Sequence, residues 1–72
     1  MRVALVTGGG SGIGRSSALE LNKIDFTVYV FGRREDELIK TSSLATNNNH
    51  KIIPVKIDIT IGSQVIALFD KI

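Results

Sequence analysis

The fold of this chain is decided by one stretch near its start, Thr7-Gly8-Gly9-Gly10-Ser11-Gly12-Ile13-Gly14. It follows a short, continuous apolar run from Val3 to Val6, which is typical of a strand covered on both faces. Helical apolar spacing then begins and continues from Ile13 to Lys23. Glycines between a strand and a helix let the backbone turn sharply and approach a ligand closely. Because a helix start presents free N–H groups and a partial positive charge, the turn predicts a phosphate-binding site.

The middle of the chain alternates between strand-like and helical patterns. Phe26 to Phe31 is rich in β-branched and aromatic residues and predicts a second strand, which Gly32 ends. Glu35 to about Thr46 predicts a second helix with acidic residues in its first turn. Asn47 to His50 predicts a solvent-facing loop, and Ile52 to Ile57 predicts a third strand.

The last segment, from Thr60 to Ile72, predicts a third helix. Thr60 is a suitable N-cap, and the apolar residues after it fall on one helical face. In the first helix, the residues available for packing are Ile13, Ala18 and Leu21. The element order is therefore β-α-β-α-β-α, which predicts an α/β fold with a parallel sheet of three strands joined by right-handed crossovers.

Two strands of the predicted sheet are expected at its edges. Pro54 removes one ladder donor from the third strand, so that strand should lie at an edge or begin near the proline. The first strand, Val3 to Val6, is expected to be an open edge where a fourth strand belongs. Open edges invite pairing between chains, so the sequence predicts a marginal fold that associates.

Two other glycine patterns compete for the same residues. The GxGxxG fingerprint fails because it requires a third glycine where Ile13 stands. A nucleoside-triphosphatase loop, GxxxxGK[ST], is nearly spelled by Gly9, Gly14, Arg15 and Ser16. It fails at Arg15, since the lysine required there is a compact point charge that arginine does not replace.

The pattern that fits is TGxxxGxG, formed by Thr7, Gly8, Gly12 and Gly14, and it resembles the cofactor loop of the short-chain dehydrogenase/reductase family. The likeness continues after the second strand at Gly32-Arg33-Arg34 and after the third at Asp58-Ile59-Thr60. It covers essentially the whole chain. It implies a Rossmann-type α/β fold in which residues 1–72 form the N-terminal part of an NAD(P)-binding domain.

The resemblance also implies which residues hold the dinucleotide. In that family the last glycines of the loop contact the pyrophosphate, and Thr7 braces the turn. Asp58 and Ile59 hold the adenine ring, the first through its carboxylate and the second by contact. The implied cofactor-binding residues are Thr7, Gly8, Ser11, Gly12, Ile13, Gly14, Arg33, Arg34, Asp58 and Ile59. No metal site is implied.

The end of the second strand indicates NADP rather than NAD. NAD-binding sites usually carry an acid there to bind the ribose 2′-hydroxyl, but Gly32 occupies the position. Arg33 follows at once, and a guanidinium can bind a 2′-phosphate through two parallel hydrogen bonds, with Arg34 placed to assist. NAD stays open because Glu35 and Asp36 could serve a ribose in a shifted register.

Composition excludes several classes of protein. The chain has 72 residues, a formal net charge of +2 and no cysteine. So small a charge indicates no nucleic-acid partner, and no apolar run approaches the ~18 residues of a membrane span. Without cysteine, disulfides and thiolate metal sites are excluded, which suits a cytoplasmic protein. His50, the only histidine, has no evident partner in the sequence.

The catalytic residues of the family are not found here. Its catalysis depends on a tyrosine acid/base, a lysine four residues later, a serine and an asparagine, whereas Tyr29 is the only tyrosine and is followed at that spacing by Arg33. The resemblance thus implies an NADP-dependent carbonyl/alcohol oxidoreductase whose catalytic residues lie elsewhere, and it is compatible with a homo-oligomeric parent protein. Two alternatives remain open: a truncated, catalytically inactive product and a nucleotide-sensing Rossmann module.

Overall fold

The computed structural model describes residues 2–8, 12–57 and, for the backbone alone, 66–70. Its elements in chain order are β1 (Arg2–Thr7), α1 (Gly12–Lys23), β2 (Thr27–Gly32), α2 (Glu35–Ser43), β3 (Ile52–Lys56) and β4 (Ile66–Asp70). The first five follow the predicted order. The second helix is shorter than predicted, because it ends at Ser43 rather than near Thr46.

The sheet has the strand order β3-β2-β1-β4. β1 pairs with β2, and β2 pairs with β3, both in parallel. These three strands confirm the predicted parallel sheet with its two crossover helices. The prediction that Pro54 lies at an edge is also confirmed, since it belongs to β3, the outer strand on that side, where it stands opposite Val30.

Residues 66–70 form a strand, so the predicted helix from Thr60 to Ile72 is wrong there. β4 pairs antiparallel with β1, from Arg2 opposite Asp70 to Val6 opposite Ile66. A short apolar run fits a helix and a strand alike, and the main-chain donors and acceptors of the β1 edge decide in favour of the strand. The expectation that β1 is an open edge is therefore also wrong. Residues 60–65 and 71–72 lie outside the described residues.

The core lies between the helices and one face of the sheet. Side chains of successive strand residues point to opposite faces, and the buried ones alternate accordingly. The buried hydrophobic residues are Ala4, Val6, Ala18, Phe26, Val28, Val30, Leu38 and Ile52. Leu21 packs against this cluster and Ala18 belongs to it, as predicted. Ile13 was also predicted to pack, which is wrong, because it is 73% exposed at the start of α1.

The other face of the sheet is only half-buried. One row across it consists of Leu5, Tyr29 and Ile53, which pair in register. Tyr29 therefore lies in the middle of a strand row between two aliphatic residues.

Helix α1 ends in a left-handed cap made by an aspartate. The amide of Phe26 donates to the carbonyl of Leu21 at 3.1 Å, and the amide of Asp25 donates to that of Asn22 at 3.2 Å. This pair of bonds defines a Schellman motif, in which glycine usually takes the position with positive φ. Here Asp25 takes it, with φ of 71°.

The loop from Asn47 to His50 is anchored rather than merely solvent-facing. Asn22 is fully buried, and its Nδ2 donates to the carbonyls of Phe26 at 3.3 Å and His50 at 3.1 Å. The Nδ2 of Asn47 donates to the Asn22 carbonyl at 2.9 Å and to Asp25 Oδ1 at 3.0 Å.

His50, for which the sequence suggested no partner, has one in the structure. Its Nδ1 lies 3.4 Å from the hydroxyl of Thr27 at the start of β2. We call this end of the sheet the amino edge, comprising Asn22, Asp25, Phe26, Thr27, Asn47 and His50.

Candidate cofactor-binding edge

The carboxyl ends of β1, β2 and β3 meet at one edge of the sheet because the three strands are parallel. Two backbone hydrogen bonds continue the ladder past the strand ends. The Gly8 amide donates to the Phe31 carbonyl at 2.9 Å, and the Ile57 amide donates to the Gly32 carbonyl at 2.8 Å. We call this region, Thr7–Gly8, Gly12–Gly14, Gly32–Arg34 and Lys56–Ile57, the carboxyl edge. Ligands of open α/β sheets bind outside this end of the strands.

The glycine turn takes the backbone conformations for which glycine was expected. Gly8 and Gly12 have positive φ values of 70° and 57°. A Cβ added at Gly12 would meet no atom of the described residues within 4 Å, so the described part of the chain leaves the space beside this residue open. Gly14 is buried inside the first turn of α1, and Thr7 is half-buried at the end of β1. Among the described residues, Gly12 thus presents its backbone to open space at the start of a helix.

The two helix starts at this edge differ in charge. The first turn of α1 carries no acidic residue. The first turn of α2 carries three, Glu35, Asp36 and Glu37. Carboxylates near a helix N-terminus satisfy its positive partial charge, whereas a start without them favours an external anion. The electrostatics therefore favour an anion at α1 rather than at α2.

The end of β2 itself carries no carboxylate, and the nearby acids belong to the first turn of α2. A Cβ at Gly32 would lie 3.3 Å from a methyl carbon of Leu38, so the strand end packs closely on α2. Asp36 lies 3.6 Å from Arg34, and Glu37 is engaged by Arg15. Two of the three acids of this region therefore have cationic partners within the chain.

Arg33 differs from the other described arginines in having no described partner. Arg2 lies over the ring of Phe26, Arg15 pairs with Glu37, and Arg34 pairs with Asp36. Arg33 is exposed and forms no hydrogen bond or ion pair with another described residue. Its guanidinium is therefore the one at this edge that the described part of the chain leaves for a ligand.

The structure brings seven of the ten predicted binding residues to the carboxyl edge. They are Thr7, Gly8, Gly12, Ile13, Gly14, Arg33 and Arg34. The exposed Ile13, which fails as a core residue, presents an apolar side chain beside the glycine turn. The remaining three, Ser11, Asp58 and Ile59, lie outside the described residues.

Arg15 has a structural role that its place in the motif did not indicate. Its Nη2 is 2.8 Å from Glu37 Oε2, and its Nε donates to the Thr41 hydroxyl at 2.9 Å. The side chain is therefore engaged by α2. The partners are 22 and 26 positions away in the chain, and no local pattern indicates such a contact.

Two further kinds of site are absent from the described ranges. No group of three or more histidine, cysteine, aspartate or glutamate side chains there is arranged to hold a metal ion. None of the helices described in the structure is long and apolar enough to cross a membrane.

Comparison with known proteins identifies the family. A family model described as short chain dehydrogenase matches residues 2–72. The chain belongs to the short-chain dehydrogenase/reductase family. The resemblance carried by the glycine turn and the two later strand ends is thereby confirmed.

Relatives and solved structures of the family agree with this result. The chain is similar to dehydrogenase/reductase SDR family member 1 of Mus musculus, with 39% identity over 99% of this chain and 23% of that protein. An uncharacterized oxidoreductase of Escherichia coli K12 is 37% identical over 100% of this chain and 30% of its own length. The crystal structure of a short chain dehydrogenase from Salmonella enterica serovar Typhi superimposes with a TM-score of 0.69 at 29% identity, over 85% of this chain and 25% of that one.

These matches confirm the Rossmann-type fold of this short-chain dehydrogenase/reductase. They also show how much of a family member the chain represents. It spans less than a third of the length of each of these three relatives.

Proposed function

We propose that this chain binds NADP at the carboxyl edge and serves as the cofactor-binding part of a carbonyl/alcohol oxidoreductase. The observation that carries the proposal is Arg33, an exposed guanidinium without a described partner, placed directly after a strand end that lacks a carboxylate. A guanidinium binds phosphate through two parallel charge-assisted hydrogen bonds, whereas a ribose hydroxyl offers it no charge. This favours the 2′-phosphate of NADP over the 2′-hydroxyl of NAD.

A second anion subsite is supplied by the glycine turn. The start of α1 has no acidic residue in its first turn, and the backbone at Gly12 faces open space. Free amides and the partial positive charge of the helix suit the pyrophosphate of the same dinucleotide. The proposed site therefore has two anion subsites, the pyrophosphate subsite at the start of α1 and the 2′-phosphate subsite at Arg33.

The proposed contribution of this chain is binding and orientation. When bound, the nicotinamide cofactor supplies hydride transfer, and the protein around it supplies position and electrostatics. Among the described residues, Tyr29 lies within β2 and does not reach the carboxyl edge. We therefore assign no proton transfer to Tyr29.

The test of the pyrophosphate subsite is a pair of matched variants, Gly12→Ala and Asp25→Ala. Both residues have positive φ, but only Gly12→Ala adds a Cβ there, at a backbone cost of about 1–2 kcal/mol, because Asp25 already carries one. Only at Gly12 does the new methyl group occupy the space proposed for phosphate. We expect Gly12→Ala to weaken NADP binding, measured by calorimetry, at least about tenfold, equivalent to ~1.4 kcal/mol. Asp25→Ala should leave the affinity unchanged, and an equal loss in both variants would contradict the assignment.

A further inference from the structure

One side chain joins the two helices that carry the proposed anion subsites. Arg15 of α1 contacts Glu37 twice, through Nη2 to Oε2 at 2.8 Å and through Nη2 to the carbonyl at 3.2 Å. Its Nε also donates to the hydroxyl of Thr41 at 2.9 Å. These three contacts cross from the first helix to the second.

The positions of these residues relate the contacts to the carboxyl edge. Arg15 directly follows Gly14, at the end of the first turn of α1, which carries the pyrophosphate subsite. Glu37 lies in the first turn of α2, the helix that begins two residues after Arg33. We call the contacts of Arg15 with Glu37 and Thr41 the bridge. The bridge connects α1 and α2, the two helices beside which the pyrophosphate and the 2′-phosphate of the dinucleotide are proposed to bind.

The three side chains of the bridge are partly or fully buried, which restricts their geometry. The side chains of Arg15 and Glu37 are only 20% and 31% exposed. Thr41 is fully buried, and its hydroxyl both accepts from Arg15 and donates to the Glu37 carbonyl at 3.2 Å. Charge-assisted hydrogen bonds in a partly buried setting are stronger and more directional than an exposed ion pair. Such an arrangement limits how far the start of α1 can move relative to the start of α2.

We propose that Arg15, with Glu37 and Thr41, is a positioning residue that sets the spacing between the pyrophosphate subsite and the 2′-phosphate subsite. The inference rests on the proposed function. Arg15 does not touch the cofactor in this account, since its guanidinium is engaged by α2. It contributes to NADP selection because NADP uses both subsites together, whereas NAD gains nothing from the second one.

The experiment compares NADP and NAD binding, by calorimetry, in the whole protein and in three variants. Thr41→Val keeps the shape and burial but removes the hydroxyl that Arg15 contacts. Glu37→Gln keeps the shape of the side chain but removes its charge. Because Glu37 is half-buried and Thr41 is fully buried, Glu37→Gln should disturb folding less than Thr41→Val. Thr41→Ser retains a hydroxyl at this position, so its ratio of NADP affinity to NAD affinity should equal that of the wild-type protein.

The matched control is Glu20→Gln, which removes the exposed partner of Lys23, 3.6 Å away on the same α1 helix. Because mutations that alter coupling between sites change it by 0.5–2 kcal/mol, we expect Glu37→Gln and Thr41→Val to lower the NADP-to-NAD affinity ratio by about 2- to 30-fold. The control should leave the ratio unchanged.

The outcomes separate the two proposals. A fall in the ratio in both bridge variants, with recovery in Thr41→Ser, supports the positioning role. Equal losses for NADP and NAD, or an unchanged ratio, would show that the bridge serves stability alone and would overturn the inference while leaving the proposed function intact. A wild-type protein that binds neither dinucleotide, or binds NAD as tightly as NADP, would overturn both.

Discussion

The two edges of the parallel sheet use their polar groups in opposite ways. At the amino edge, the side chains of Asn22, Asn47 and Asp25 are bonded to backbone groups and to one another. At the carboxyl edge, the start of α1 lacks an acid and Arg33 lacks a described partner. The difference indicates that one edge is dedicated to holding the fold and the other is available for a ligand.

Helix α1 shows the same difference between its own two ends. Each end has a residue with positive φ, Gly12 at the start and Asp25 just after the end. Asp25 is fixed by the helix cap and by Asn47, whereas the space beside Gly12 is open. A positive φ alone therefore does not identify the proposed binding site. The proposed site is distinguished by the space beside Gly12, which no described side chain fills.

The largest effect we expect is at the amino edge, from Asn22→Asp. Asn22 Nδ2 donates to two carbonyls, and its Oδ1 is buried with no hydrogen-bond partner among the described residues. A carboxylate there cannot donate and would be an unpaired buried charge, so the free energy of unfolding should fall by about 3–5 kcal/mol. Urea denaturation measures this. The control is Asn48→Asp, exposed in the adjoining loop, which should change stability by less than about 0.5 kcal/mol; similar losses in both would show that Asn22 is not a structural anchor.

The next largest effect is at the carboxyl edge, from Arg33→Ala. Hydrogen bonds to charged groups contribute about 1.5–3 kcal/mol, so NADP binding should weaken by about 10- to 150-fold. NAD binding and the free energy of unfolding should change little, because Arg33 has no described partner in the fold. Lys40→Ala is the control, since it removes the same charge from the last turn of α2. Equal weakening of NADP and NAD by Arg33→Ala would contradict phosphate selection.

The smallest of the three effects concerns the cap of α1. A β-branched residue is poorly tolerated at positive φ, so Asp25→Val should lower the free energy of unfolding by about 1–2 kcal/mol. Asp25→Gly accommodates the same φ without a Cβ and should be clearly more stable than the valine variant in a thermal melt. Equal stability of the two variants would mean that the left-handed cap is not maintained in solution.

Much of the fold was predictable because its signals are local. The apolar strands, the glycine turn and the acidic start of α2 are each contained in a few consecutive residues. The parallel order then follows from the alternation of strands and helices. The prediction of a helix in the last segment was wrong because its secondary structure depends on the pairing of Ile66–Asp70 with β1. That pairing joins the two ends of the chain and leaves no local signal.

The location of the candidate site could be predicted from the sequence, but the side-chain contacts that support it could not. The glycine spacing and Arg33 are visible in the sequence, and the strand ends bring them to one edge. The contacts of Arg15 with Glu37 and Thr41, and that of Asn22 with His50, are not visible, since each joins residues more than twenty positions apart. Ile13 was misassigned to the core because helical spacing does not show that the first turn extends past the packed region.

Backbone amide chemical shifts recorded by NMR during titration with NADP test the central claim most directly, because they report on both edges in one experiment. The account predicts progressive shifts at Gly8, Gly12, Gly14 and Arg33. It predicts no comparable shifts at the amino edge, at Asn22, Asn47 and His50. Shifts concentrated at the amino edge, or a titration that leaves the glycine turn and Arg33 unchanged, would contradict it.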